Sequence, residues 1–285
     1  DIVVPEHNYV KKFMDADLVA PMNEDAVTNY GDMYGYFRNF AEENYGRDGQ
    51  VYTAPSRFGW HAYSYNGDEV AEHDPSYAVL FEDDYVDTDL SGKLVMYDNH
   101  FKAMAVTSLY LGYEDAFEGD AVTLSDDQVQ TVKETLIEQK PSLYGYIASD
   151  PTFIKAYKQG NFFVGESGRN EIIEMQVGGT KSGVMTVPKE GAFAWIETPL
   201  VSKKSDNQEA AWNVVNEYIS PEVGAELAKV GYAPSCNPAT QQHLDQEQNE
   251  MFGAVEPSKL EKFIPYKVVE GEDRWLQAWE EVKQA

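Results

Sequence analysis

Trp195 and Glu197 stand two residues apart in the stretch Val187-Pro-Lys-Glu-Gly-Ala-Phe-Ala-Trp-Ile-Glu-Thr-Pro-Leu-Val201. On an extended backbone alternate side chains share a face, so the two point the same way. An aromatic wall beside an anion suits an ammonium group. The ring face attracts the cation and the carboxylate neutralises it. A buried strand end, with the Trp in the core and the Glu in water, is the competing reading of the same pattern.

Three of the five histidines, His7, His61 and His100, fall in predicted strand-end turns. Imidazoles beside Glu6 and Asp98 offer donor types that suit a transition metal. The alternative is that such turns simply tolerate polar residues, and the expectation is no resident metal and no cofactor. The chain has no G-x-G-x-x-G, P-loop, G-x-S-x-G, H-E-x-x-H or C-x-x-C motif. Asp83-Asp84 and Asp126-Asp127 read as solvated faces, because adjacent acids are expected at this acidity.

The 285 residues suffice for one large domain or two ordinary ones. With 42% hydrophobic and 13% aromatic residues, the chain is one that folds. There are 49 acidic and 22 basic residues, a net charge of −27. Such a surface repels phosphate backbones and anionic lipid, so nucleic acid is excluded as a partner. It draws in cationic solutes, though acidity also serves solubility. No apolar run approaches the roughly 18–20 residues of a membrane span. No basic-then-apolar leader opens the sequence, which leaves the compartment open, since a leader is removed on export. Cys236 is the single cysteine, so no internal disulfide forms.

Residues 1–5 read as a buried parallel-type strand, and residues 9–18 have helical spacing. Residues 50–55 and 62–66 read as strands around a turn at 56–60, and 93–97 as a strand. Asp98-Asn99 precedes a helix at 101–113. Ser125 to Gln128 is a capping box, and Asp150-Pro151 opens a further helix. Residues 161–164 read as a strand followed by a turn at 165–168 and a helix at 169–176. Ser220-Pro221 opens a helix ended by Gly231, and 270–283 form an amphipathic helix. The alternation of strands and helices argues for α/β with largely parallel sheets. Ligands of such folds sit beyond the carboxyl ends of strands, here Glu6–Tyr9, Arg57–His61, Asp98–Lys102, Glu166–Arg169 and Trp195–Glu197.

Taken in order, Asp1-Ile-Val-Val-Pro…Tyr9-Val-Lys-Lys-Phe-Met, Tyr52-Thr-Ala-Pro…Phe58-Gly, Ser91-Gly-Lys-Leu-Val-Met-Tyr-Asp-Asn, Leu111-Gly-Tyr, Pro188-Lys-Glu-Gly…Trp195-Ile-Glu197, Ser220-Pro-Glu-Val and Val230-Gly-Tyr-Ala-Pro are similar to the spermidine/putrescine (polyamine) receptor family of ABC importers. The resemblance covers nearly the whole chain. It implies an α/β, two-lobed type II periplasmic-binding-protein-like fold, with mixed, mostly parallel sheets flanked by helices and a ligand cleft between lobes that close like a hinge. Lobe 1 is expected at 1–62 plus 197–240, and lobe 2 at 63–196 plus 241–285. In the family a further strand–helix unit, roughly fifty residues, precedes the segment that matches Asp1. It is not part of this sequence, and its loss would leave an open sheet edge and weaker binding.

Carried over by position, the family's sandwiching Trp and amine-binding acid match Trp195 and Glu197, and its second-strand aromatic matches Phe58. The acid after the lobe-2 strand falls at Asp98 or Asn99. A second acid falls at Lys102, reversing the charge. A later Trp is replaced around Glu166–Ser167, with Arg169 close by, and the first turn reads Glu6-His7-Asn8-Tyr9. The expected ligand set is therefore Glu6, Asn8, Tyr9, Phe58, Trp60, Asp98, Asn99, Ser167, Arg169, Trp195 and Glu197. The implied function is a monomeric, non-enzymatic receptor in the periplasm, or outside the cell as a tethered lipoprotein. It would hand a polyamine or related amine to a membrane permease. Because Lys102, Arg57 and Arg169 can neutralise an acidic group, a zwitterion, phosphonate, thiamine-like cation, organic acid or ferric ion on the same scaffold is the alternative. A carboxylate-dependent hydrolase is the remote one, and it would need two carboxyls about 5–10 Å apart on an open groove.

Overall fold

The computed structural model describes residues 1–253 and 255–285. Unit 1 comprises Asp1–Trp60 and Ala194–Tyr266, and unit 2 comprises His61–Phe193 and Lys267–Ala285. The sequence placed the last crossing at 240/241, whereas the chain stays in unit 1 through Tyr266. Packing explains the difference. Phe263 lies 6.1 Å from Phe58 and 5.1 Å from Trp60, ring to ring, and its carbonyl accepts from the Tyr36 hydroxyl at 3.4 Å. Asn249 donates to the Gln241 and Leu244 carbonyls at 3.1 and 3.0 Å. Of the C-terminal part, only the segment from Lys267 on joins unit 2.

In unit 1 the opening strand is short, Ile2–Val3, and pairs antiparallel with Leu200–Val201. Both of its residues are exposed, not buried in a parallel sheet as expected. A β-branched run looks the same whether one face or both are covered, and only the neighbours decide. Behind it Val10, Met14, Val19, Trp212, Val215 and Ile219 fill a buried core. The helix Gln208–Tyr218 presents Ala211, Trp212 and Val215 to that core. Ser220 caps the helix Pro221–Gly231 by accepting from the Val223 amide at 3.3 Å. The expected turn at 56–60 is part of one unbroken strand, Arg57–Asn66, which carries the chain into unit 2.

In unit 2 the strand Leu94–Tyr97 is wholly buried and pairs in parallel with both Leu143–Ile147 and Val164–Gly168. A strand covered on both faces reads as a continuous apolar run, as Leu-Val-Met-Tyr does. Val164–Gly168 in turn pairs antiparallel with His61–Tyr65, and Gly183–Met185 pairs with Ser64–Asn66. The expected turn at 165–168 is therefore strand. Its Gly-Glu-Ser-Gly composition signals a loop, but hydrogen-bonded neighbours on both sides override that preference. The helices His100–Tyr110, Asp126–Gln139 and Glu272–Gln284 pack in this unit, the last burying Trp275, Trp279 and Val282. The predicted Ser125–Gln128 capping box forms in full. Among the described residues no helix is long and apolar enough to cross a membrane.

His7 shows how unit 1 is tied together. Its Nδ1 accepts from the Ile196 amide at 3.2 Å, so Nε2 carries the proton and donates to the Tyr266 carbonyl at 3.0 Å. The Tyr45 hydroxyl donates to the His7 carbonyl at 2.7 Å. Burial lowers the His7 pKa from 6.5 to about 4, against the weaker opposing effect of its backbone hydrogen bonds. The folded state keeps the ring neutral while the unfolded chain takes a proton below 6.5. Stability from this residue is therefore full above pH 6.5 and lost as pH falls toward 4. The expected loss is about 3 kcal/mol across that window. Denaturant melts of the wild type and His7→Gln check it. The variant should be less stable near neutrality and lose less on acidification, and parallel curves would show that His7 is not held neutral.

Candidate ligand-binding site

On the strand Ala192–Glu197, Ala194 and Ile196 are fully buried while Trp195 and Glu197 stay partly exposed. The period of two places them on one face, as the sequence implied. The indole of Trp195 lies against the backbone of Gly59, where an added Cβ would overlap the ring. Glu197 is held by Arg57 through two bonds, Nε to Oε2 at 2.6 Å and Nη2 to Oε1 at 2.7 Å. Both side chains are about three-quarters buried, at 24% and 20% exposure. The hydrogen bonding to Glu197 raises the Arg57 pKa against the opposing effect of burial. Arg57 crosses Gly231, where again a Cβ would collide with the guanidinium. Ser56 donates its amide and hydroxyl to the Glu197 carbonyl at 2.9 and 3.1 Å, and Glu6 bridges Glu197 by backbone pairing. The carboxylate expected to await an ammonium thus already accepts a guanidinium fork. Each oxygen keeps acceptor capacity for one more donor.

The other unit 1 residues divide. Glu6 is exposed beside Glu197, and Tyr9 is 48% exposed with the Lys12 ammonium 5.2 Å from its ring centre. Asn8 is partly buried, and its Oδ1 is sealed without a hydrogen-bond partner. Phe58 and Trp60 are core residues, Phe58 lying 4.5 Å from Phe37 and 6.4 Å from Trp60, ring to ring. His7 is committed at both nitrogens and has no lone pair for a metal.

In unit 2, Asp98 accepts from the Trp279 indole at 3.2 Å and faces the Lys283 ammonium at 3.5 Å. Asn99 caps the helix His100–Tyr110 by accepting from the Lys102 amide at 3.0 Å. His100 pairs with Glu272 at 2.8 Å. Ser167 is fully buried and donates to the Ser64 hydroxyl at 2.8 Å, stitching two strands. Arg169 opens the next helix, and burial lowers its pKa to about 10. Among the described residues no cluster of three His, Cys, Asp or Glu could hold a metal ion.

A second group of polar side chains lies in unit 2, where only the expected turn at Glu166–Arg169 had pointed. Glu166 and Glu171 are buried carboxylates joined through Tyr97, whose amide donates to Glu166 Oε2 at 3.0 Å and whose hydroxyl reaches Glu171 and Asp150. Burial pushes the Glu166 pKa up to about 7 and raises that of Glu171 as well. His61 lies 3.5 Å from Glu166, and burial holds its pKa well below 6.5. The Lys102 ammonium sits 4.0 Å above the Tyr97 ring. A carboxylate in a strand flanked by apolar strands was the one available signal, and the turn-like composition around it hid it.

Two α/β units carrying an aromatic–carboxylate face at a strand end are the build of a solute-binding protein. Residues 1–252 match the model of the bacterial extracellular solute-binding protein family, and the chain belongs to that family. It is 24% identical over 254 residues to the spermidine/putrescine-binding periplasmic protein of Escherichia coli, and 22% identical over 250 residues to a putrescine-binding periplasmic protein of Pseudomonas aeruginosa. These alignments cover 87% and 84% of this chain but only 66% and 65% of the relatives, just under two thirds of their length. A crystal structure of a spermidine/putrescine ABC transporter substrate-binding protein from Streptococcus pneumoniae superposes with a TM-score of 0.77 at 19% identity, covering 100% of this chain and 82% of that one. The expected type II binding-protein fold, with mixed sheets flanked by helices, is the fold of this protein.

The seat of Trp195 makes a direct prediction. Gly59→Ala should displace the indole, cost about 1–3 kcal/mol of stability from overpacking, and shift the Trp emission. Unchanged melting and emission would mean that the ring does not rest on Gly59.

Proposed function

We propose that this chain is the solute-recognising part of a receptor for an ABC importer, working outside the cytoplasm as a monomer and without turnover. Its ligand is an amine, a polyamine or a related molecule, received on the face of Trp195 and Glu197. The observation that carries the reading is the pairing on one strand face of a partly exposed indole and a carboxylate with spare acceptor capacity. The ring covers methylenes and attracts the cation while Glu197 fixes the ammonium. That two relatives bind spermidine or putrescine supports the same class of ligand. The partners are a small molecule and a membrane permease, not nucleic acid, which a net charge of −27 repels.

A second reading has a specific observation behind it. Because Arg57 already grips Glu197, the site presents a cation and an anion together. An amino acid-like zwitterion would meet both, its ammonium on Glu197 and its acid on Arg57.

Calorimetric titration of spermidine tests the first reading. Saturable heat near one-to-one is expected, weakening with salt and lost in Trp195→Ala/Glu197→Gln. Arg57→Gln separates the two readings. It should strengthen spermidine binding several-fold by freeing Glu197, whereas a zwitterion such as 4-aminobutyrate should lose at least tenfold. No heat with either solute would overturn both readings.

A further inference from the structure

Unit 2 holds a pocket of about 400 Å3, lined by none of the residues in the expected ligand set, with room for a small organic molecule. Its apolar floor is Leu80, Leu90 and Leu94, all buried. One wall is the Phe81–Tyr110 stack, with ring centres 4.5 Å apart. The rim carries three exposed acids, Glu82, Asp83 and Glu138. Among the described residues no Lys, Arg or His lines the pocket. The neighbouring lysines turn elsewhere, Lys133 donating to Glu281 at 2.7 Å and Lys140 to the Val282 carbonyl at 2.8 Å. Two helices, His100–Tyr110 and Asp126–Gln139, end at the pocket, and helix C-termini favour a cation.

The lining also holds one unmet polar atom. Gln139 is 6% exposed and donates through Nε2 to the Leu80 carbonyl at 2.7 Å, while its Oε1 has no hydrogen-bond partner. Turning the amide over would set two oxygens against each other and leave the nitrogen unmet. An unmet buried acceptor is costly, so the site gains from a donor that enters. The terminal torsion of a Gln is soft, and a small swing brings Oε1 to such a donor. We propose that this pocket is a second ligand site, separate from the Trp195–Glu197 face, for an organic ammonium with an apolar body and a neutral hydroxyl at its far end. The ammonium stays at the wet rim among the three acids, which avoids the cost of burying a charge. Glu82 is held there by the Tyr110 hydroxyl, which donates to its Oε1 at 3.2 Å. The body covers the leucines, and the hydroxyl donates to Gln139 Oε1. A polyamine suits this pocket poorly, because it would carry a second ammonium onto an apolar floor with one neutral acceptor.

The second site does not rest on the receptor reading. It is tested by NMR titration of the methyl-labelled chain with three probes. Tyramine has both polar groups, phenethylamine lacks the hydroxyl and 4-ethylphenol lacks the ammonium. Tyramine at millimolar concentration should move the Leu80, Leu90 and Leu94 methyls in one saturable step. Phenethylamine should bind about tenfold more weakly, because Oε1 stays unmet. For 4-ethylphenol the loss should be several-fold, since the acids are exposed. Asp83→Asn/Glu138→Gln, at exposed positions, should weaken tyramine several-fold and leave 4-ethylphenol unchanged. Gln139→Leu should bring tyramine down to the level of phenethylamine, and if that variant does not fold the wild-type hydroxyl comparison decides the same point. All of these methyl shifts should persist in Trp195→Ala/Glu197→Gln. Unmoved methyls, tyramine no tighter than phenethylamine, or full tyramine affinity in the acid variant would each overturn the proposal. Methyl shifts that vanish in Trp195→Ala/Glu197→Gln would overturn it as well, by showing a single site.

Discussion

The strand Ala192–Glu197 is gripped along its length, and the position of everything on its outer face follows from that grip. Tyr266 donates to the Ala194 carbonyl at 3.1 Å, Ile196 donates to His7, and the Glu197 carbonyl accepts from Ser56. Ala194 and Ile196 are locked into the core by the same pleat that turns Trp195 and Glu197 outward. A slip of one residue would exchange the two sets, burying an indole and a carboxylate where an alanine and an isoleucine now fit. His7 is central because it uses both ring nitrogens on backbone groups 189 and 259 residues away. Gly59 and Gly231 complete the arrangement by giving up side chains. Their bare backbones are the floor on which the indole and the guanidinium lie.

Unit 2 solves a different problem. It seals Glu166 and Glu171 from water, and an isolated buried carboxylate is far too costly to persist ionised. Tyr97 distributes donors between them, the amide to Glu166 and the hydroxyl to Glu171, and the Gly168 amide adds a bond to Glu171 at 3.2 Å. The raised pKa values of both acids follow, since burial disfavours the charged form and each acid lies near another. The surface acids that dominate the net charge sit in water and need no such arrangement. The buried charges of this unit are thus few, and the excess of Asp and Glu outside them acts through the long-range field.

Much of this was legible in the sequence because it is local. The alternation of Trp195 and Glu197, the Ser125–Gln128 box and the Ser220-Pro221 start are each set by residues within a turn of one another, and each forms. The family order of the segments carried the fold. What failed was non-local. Arg57 meets Glu197 across 140 residues, with no pattern near either to announce it. Glu166 sits in a stretch whose glycines and serine spell a turn, and only its pairing with flanking strands makes it strand. Phe58 and Trp60, expected as ligand aromatics, are buried against Phe263 some two hundred residues on, a contact that no local pattern announces. The return at Tyr266, not at 240, has the same origin.

Under the proposed receptor reading, the Arg57–Glu197 pair also constrains what kind of solute the face would prefer. A bidentate fork orients the carboxylate plane and leaves its outer lone pairs to one side. An ammonium arriving there adds to the pair without displacing Arg57, so nothing need be broken on binding. Its attraction to Glu197 is nevertheless reduced, because Arg57 has already cancelled much of the charge. In the proposed receptor, cation–ring contact with Trp195 would then supply a larger share of the recognition than it would beside an unpaired acid. A solute with a long apolar stretch between charges gains from that ring whatever the state of the carboxylate. The indole rests on Gly59 and would lose little freedom when covered, so in the proposed receptor the face would reward ring contact and methylene length more than charge alone.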